Sequence, residues 1–319
     1  MKCLGTSVVF ILVLAAVCRD TPAVEQKSGV AVITKYEKSV RGGIDGFPLL
    51  VLRGTHKERG KAHGFLGAKE IVKTVDAMAV VINQAGLSGK KGVSWAQAAK
   101  LVDRFQFPER FILELEGMLD GVEEALPKAD DRTLTATGEP VTFTDLKLLQ
   151  CGDVLELMLC SQFSAWDDLS ADGSVIIGRN WDYPPIFPYD TYCILAVGPS
   201  EEGLRKTLDC LWFGMIGAGF ACLNEDGVYL SADDGGKEER DKVKSPCPAA
   251  LAVRMAAEGA TADDPLRSVE ENIDQKTALN ILYHVVAPPL KPGDAPRAWI
   301  FEHSPGAEKP FAERIRRPT

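Results

Sequence analysis

The sequence predicts a layered α+β fold on three observations. Apolar residues at helical spacing fill the first half of the chain. From Cys160 this gives way to short strand-like runs separated by Gly-, Asp- or Asn-bearing turns, and helical spacing returns after Pro248. Of the 319 residues, 45% are hydrophobic and 25% charged. That is the balance of a folded chain with an ample core, and it excludes a disordered, collagen-like or multi-span membrane protein. The net charge is -9 with no basic block, which argues against nucleic acid as a partner, since phosphate binding needs clustered Lys and Arg. No linker separates the halves and no repeat is present, so 24–319 is expected to be one structural unit.

The chain starts with Lys2, an unbroken apolar run over 8–17, then Arg19 and Asp20. A bilayer span needs about 20 apolar residues, so this run is too short to be one. A basic start, a short apolar core and small residues after it read as a secretory signal peptide over 1–23, cut after Ala23 or Ala16. The expected location is secreted or periplasmic, with no transmembrane segment. Cys18 offers lipoprotein anchoring as an alternative, although Val17 before it is bulkier than the residue such sites carry. A buried N-terminal helix is the other alternative.

Residues 24–46 are polar and Gly-rich and read as an extended leading segment. The run FPLLVL at 47–52 suits a buried strand, and Thr55 is placed to cap a helix running on to residue 80. Residues 94–102 and 108–126 follow as helices, the second with Phe111, Ile112, Leu115 and Leu119 on one stripe, and 144–159 as a fourth. This makes 24–159 a helical N-terminal segment packed on a β-rich core at 160–319. Strands are expected at 160–166, 175–180, 191–197, 207–215, 220–223 and 228–231, then helices at 248–258 and 265–272. A loop at 288–296 precedes a last strand at 297–302, and 311–317 reads as a charged tail. Asp233, Asp234 and the lysine-bearing stretch 237–244 read as a solvated loop.

Several site patterns are absent: GxSxG, HExxH, GxxxxGK[ST] and a strand-borne GxGxxG. Without 1–23, six cysteines remain, enough for three disulfides, but several lie in apolar runs that favour buried free thiols. There is no CxxC and no Cys/His pair at zinc spacing, and His56, His63, His284 and His303 are scattered, so neither a metal nor an organic cofactor is expected. His63 is read as a packing or capping residue. Cys160 stands where helical texture turns to strand, and the turn Ala171-Asp172-Gly173 leads back to Gly178-Arg179-Asn180-Trp181-Asp182. A hairpin would bring a thiol, a guanidinium and a carboxylate onto adjacent strands. Regular alternation separates positions 179 and 182, so this needs a bend or a strand end between them. Cys151 is the rival thiol, expected in mid-helix.

The run LCSQFSAW at 159–166, then Ala171-Asp172-Gly173 and GRNWDY at 178–183, resembles the N-terminal-nucleophile (Ntn) hydrolases of the acyl-coenzyme A:6-aminopenicillanic acid acyltransferase family, related to choloylglycine hydrolases and acid ceramidases. LRGTHKERGKAHG at 52–64 and GAGFACLNEDG at 217–227 are similar to flanking motifs of that family, in the same order. The resemblance covers roughly 47–303. It implies a four-layer αββα sandwich, autocleavage between Leu159 and Cys160, and a Cys160 thioester formed from a small-molecule acyl amide. Arg179 and Asp182 would hold the new amine, and Asn224 would donate to the oxyanion.

The chemistry stands on its own physical ground. An α-amine, with a pKa of about 7.7–8.0, can be unprotonated near neutrality and take the thiol proton, so no histidine is required. Other readings of these residues are a structural Arg179–Asp182 ion pair and a turn-shaping Asn224. The chain stops at Thr319 without the late asparagine that family members carry. A degenerate, non-catalytic binding or scaffold protein therefore stands as the alternative function, with a phospholipase B-like esterase as a third. The oligomeric state and the identity of the acyl group are left open.

Overall fold

A computed structural model of the chain describes residues 8–14, 31–44, 46–87, 94–151, 159–182, 191–201, 203–217, 221–235, 245–273, 277, 280–291, 293–304 and 311–314. The fold is mixed α/β, with helices and a large mixed sheet, as an α+β reading requires. From edge to edge that ten-stranded sheet holds β13 (Phe311–Arg314), β12 (Arg297–His303), β11 (Ile281–Ala287), β10 (Tyr229–Asp234), β9 (Cys222–Asn224), β8 (Thr207–Trp212), β7 (Tyr192–Gly198), β4 (Phe47–Arg53), β3 (Ser39–Ile44) and β2 (Ala31–Tyr36). Neighbours run antiparallel apart from β4 and β7, which are parallel. A three-stranded sheet has the order β1 (Val8–Leu14), β6 (Gly173–Asp182), β5 (Leu159–Asp167).

Strand alternation sorts the large sheet into two unlike faces. Leu50 and Leu52 of β4, Leu195 and Val197 of β7, Leu211 of β8, Leu230 of β10 and Val285 of β11 join the apolar sides of the helices in one core. On the other face, Tyr229 of β10 and Val286 of β11 pack against Val175 and Ile177 of β6. The helices thus cover one face, and the small sheet lies on the other near β9–β12.

The helix starts follow the sequence closely. Thr55 caps α1 (His56–Leu66), Ser94 caps α3 (Trp95–Leu101) and Thr142 caps α5 (Phe143–Gln150), each in a reciprocal capping box. The single helix expected from Thr55 to residue 80 is two, because Gly67 ends α1 before α2 (Ala68–Leu87) begins. A Cβ at Gly67 would lie 2.4 Å from the Phe213 ring, so the break is also a packing site. The helix expected over 144–159 stops at Gln150. Cys151 is its buried C-cap rather than a mid-helix residue, and Leu159 already belongs to β5. Four strands come as additions: β2 and β3, paired as a hairpin in the extended leading segment, β11, and β13 in the expected charged tail. The apolar run assigned to the leader contributes β1, paired with β6 from Val8 opposite Trp181 to Leu14 opposite Val175.

The 52–64 motif is used in a helix–helix seam. Gly60 and Gly64 of α1 face Gly117 and Gly121 of α4 (Glu109–Ala125). A Cβ at Gly60 would sit 1.8 Å from the Glu114 carbonyl oxygen, and one at Gly64 2.0 Å from that of Met118. At Gly117 and Gly121 the nearest atoms are the carbonyl oxygens of Lys57 and Lys61, at 2.3 and 2.1 Å. Backbone therefore touches backbone along the seam, which only glycine allows.

That closeness brings a buried ion network together. Glu114 of α4 takes Arg254 of α6 (Ala249–Gly259) on both oxygens, at 2.9 and 3.2 Å. Its Oε2 also lies 2.6 Å from His56 Nδ1 and 3.8 Å from Arg59. Burial alone would raise the Glu114 carboxyl, but Arg254, the His56 hydrogen bond and Arg59 outweigh it and hold it well below the usual carboxylate range. Arg254 continues to Glu258 at 2.8 Å, and Glu258 to Arg110 at 3.0 Å. His63 is fully buried, accepts the Gly214 N–H on Nε2 at 3.2 Å, and is held down to about 4 by burial. The packing role expected for His63 is the one it has.

Candidate active site

The β5–β6 hairpin places Cys160 opposite Trp181 and Gln162 opposite Arg179. Alternation puts Cys160, Gln162 and Ser164 on one face of β5, and their contacts show it is the face turned toward the large sheet. Ser231 of β10 donates to the side-chain Oε1 of Gln162, and Ser164 Oγ lies 3.1 Å from Nε2 of His284 on β11. Arg179 enters the same layer. Its Nη2 donates to the Ala232 carbonyl, lies 3.4 Å from Asp233 Oδ1, and stands 3.5 Å from Cys160 Sγ. On the outer face, Phe163 lies across Gly178, where a Cβ would be 2.2 Å from the ring. The glycine of the GRN triplet is therefore the seat of a cross-strand aromatic.

Of the six cysteines among the described residues, five are buried: Cys151, Cys193, Cys210, Cys222 and Cys247. Burial pushes Cys210 up to about 12, and it raises Cys193 and Cys222 well above the ordinary thiol value. These are inert positions. Cys160 is the partly exposed one, and it has a guanidinium beside it that favours the thiolate.

Beyond Cys160 the same strand face opens into a cavity of about 420 Å³ between β5 and β10–β12. Trp166, Leu169, Leu282, Trp299 and Ile300 give it an apolar lining, and Gln162, Ser164, Asp233 and His284 supply polar groups. Burial, reinforced by the Arg179 charge, pushes His284 down to about 4. Burial also raises Asp233, despite the neighbouring guanidinium.

The expected site residues divide. Cys160 and Arg179 are brought together. The backbone of Asp182 pairs with Leu159, directly before Cys160, and no register shift interrupts the β5–β6 pairing between Ile176 and Asp182; the Asp182 side chain lies outside the described residues. Asn224 is not brought to Cys160. It pairs with Thr207 on the helix-covered side of the large sheet, while its neighbour Leu223 packs on the Tyr229–Val286 side. Both Asn224 amide hydrogens go to the C-terminal end of α6, on the carbonyls of Ala257 and of the C-cap residue Ala260 at 2.8 Å each, and its oxygen accepts from Asp226 and Val228. Four bonds fill its capacity, so donating to an oxyanion would require one to open.

The carboxylate that the described residues bring to Arg179 is Asp233, which was expected in a solvated loop. Asp233 is instead a buried residue of β10, and 237–244 lie outside the described residues. The available signal was alternation: Tyr229, Ser231 and Asp233 share one strand face. Among the described residues no group of three or more His, Cys, Asp or Glu is placed to hold a metal ion, and no helix is long and apolar enough to cross a membrane. No family model matches the chain, and no curated protein matches it.

Proposed function

We propose that the chain is an exported, cysteine-dependent hydrolase or acyltransferase of the N-terminal-nucleophile type, acting on a linear amide bond. The observation that carries this reading is the Arg179 guanidinium 3.5 Å from Cys160 Sγ, on the one partly exposed thiol among the described residues. Supporting it are the adjacent cavity and the order helices, sheet, sheet, which supplies three of the four layers of an αββα sandwich.

In this reading, cleavage of the Leu159–Cys160 bond frees the Cys160 α-amine. The amine takes the Sγ proton, the thiolate adds to the substrate carbonyl, and the C–N bond breaks as the leaving amine takes that proton. Water or a second amine then resolves the thioester. Arg179 stabilises the thiolate and is itself positioned by the Ala232 carbonyl and Asp233.

One observation favours the second reading, a non-catalytic binding protein: Asn224 is committed to α6 on the far side of the sheet. Intact mass and N-terminal sequencing of the protein recovered from the exporting cell, beside Cys160→Ala, separate the two. A fragment beginning at Cys160 that vanishes in Cys160→Ala supports the enzyme. A single uncut chain in both supports the binding protein. The other new N-terminus, at residue 24 or otherwise, tests export.

A further inference from the structure

The geometry points to the cavity between β5 and β10–β12 as a binding site for an electrically neutral, apolar ligand that carries one hydrogen-bonding group, anchored by the Ser164–His284 pair. The volume, about 420 Å³, falls in the range of small-molecule sites. Its lining sets the class. Trp166, Trp299 and Ile300 offer an apolar and partly aromatic wall, and Leu169, 70% exposed, stands at the rim. Among the described lining residues the charged one is Asp233, and it lies against Arg179 at 3.4 Å, so the pair offers a charged ligand little net charge.

The polar anchor is His284. It is 3% exposed, Nε2 is engaged with Ser164, and Nδ1 has no hydrogen-bond partner among the described residues. A buried ring nitrogen left unpaired is unfavourable, and a ligand group that pairs it removes the penalty. The pair is a recognition element and not a second nucleophile–base dyad. An imidazole held down to about 4 is too weak a base near neutrality, and no carboxylate orients its Nδ1 among the described residues. Ser164 lies four residues beyond Cys160 on the same strand face, about 13 Å along β5 at some 3.3 Å per residue. If the proposed thioester chemistry holds, the bound group is the acyl chain of the substrate; binding itself does not depend on that reading.

The test is a titration of full-length Cys160→Ala protein, in which no turnover can occur, with octanamide, octanoate and octylammonium. It is read by calorimetry and by quenching of tryptophan fluorescence. The amide is expected to bind at least about tenfold more tightly than either charged analogue, since a charge would enter an apolar cavity unpaired. Ser164→Ala should weaken amide binding by about 2- to 12-fold, the range of one hydrogen bond. Ala298→Leu, which fills the cavity, should abolish binding, with unchanged circular dichroism showing that both variants fold. Equal affinity for the three head groups, or amide binding indifferent to both substitutions, overturns the proposal. Binding without processing of the wild-type chain would instead sink the enzyme reading and leave this one standing.

Discussion

Gly64→Ala is the sharpest test of how the α1–α4 seam holds the chain together. The new Cβ would lie 2.0 Å from the Met118 carbonyl oxygen and 2.9 Å from Val122 N, both rigid backbone atoms of α4. Ordinary contact begins near 3.4 Å, so α1 must withdraw by roughly 1.4 Å at that turn. His56 and Arg59 ride on the same helix, and their contacts with Glu114, at 2.6 and 3.8 Å, stretch with it. Overpacking costs about 1–3 kcal/mol. Pulling cationic partners from a buried carboxylate approaches about 3–5 kcal/mol when the loss is complete, and here Arg254 stays in place. The better helix propensity of alanine returns about 1 kcal/mol. The expected net loss is about 3 kcal/mol, read as a lowered urea midpoint at unchanged slope and a fall in Tm of about 4 °C. Gly43→Ala is the control, since its nearest neighbour is 3.5 Å away and the contact is ordinary. If Gly64→Ala stays within about 0.5 kcal/mol of the wild type, the seam does not set the helix spacing and the argument from backbone contact fails.

Three further outcomes are expected. Iodoacetamide at neutral pH should modify Cys160 ahead of the five buried cysteines. Arg179→Gln should slow that modification about threefold or more, because the lost thiolate fraction is only partly offset by higher intrinsic nucleophilicity; an unchanged rate would remove Arg179 from thiol activation. His63 and His284 are both held down to about 4 from the ordinary 6.5, so between those values the unfolded chain binds protons that the folded chain refuses. Stability must then fall as pH falls, by about 4 kcal/mol for the two together from pH 7 to pH 5. Urea unfolding at the two pH values checks this. His284→Gln should halve the loss, and a flat profile would refute it. Asn224→Ala should cost about 2 kcal/mol or more of stability by freeing two carbonyls at the C-terminal end of α6 and two turn N–H groups. A loss of Cys160 processing at full stability would instead restore Asn224 to the active site.

Parts of this architecture were legible in the sequence and parts were hidden for definite reasons. The start of α1 was readable because Thr55 and Glu58 carry its capping signal within four residues. The Cys160–Arg179 neighbourhood was readable because a short turn closes the β5–β6 hairpin and local pairing fixes the register. His284 was missed with its strand. ILYHVVA at 281–287 is buried almost throughout, and a strand covered on both faces shows no period-2 pattern. Asp233 was missed because two acidic residues before a lysine-rich stretch look solvated. The cue that they belong to a strand lies in Tyr229 and Ser231, not in the charges. Asn224 was read from its motif, yet what decides its role is which face of β9 it occupies, and that depends on partners more than 30 residues away.

The two faces of the large sheet explain why residues of one sequence motif set can serve different ends. On the helix face, His56, Arg59, Glu114, Arg254 and Glu258 form a network, and the nearby cavity, beside Asp209 and Arg254, measures about 10 Å³, room for one water at most. Glu114, Arg59, Arg254 and Glu258 are buried among one another, so their charges act on stability. On the other face, a thiol and a guanidinium stand beside a cavity some forty times larger, where a reacting group has somewhere to sit. The 52–64 motif therefore belongs to the scaffold, and the 160–182 hairpin carries the residues of the proposed chemistry. The division can be reversed by one result: a substitution at Gly60 or Gly64 that leaves Tm untouched but abolishes modification of Cys160 would mean that α1 positions the thiol directly.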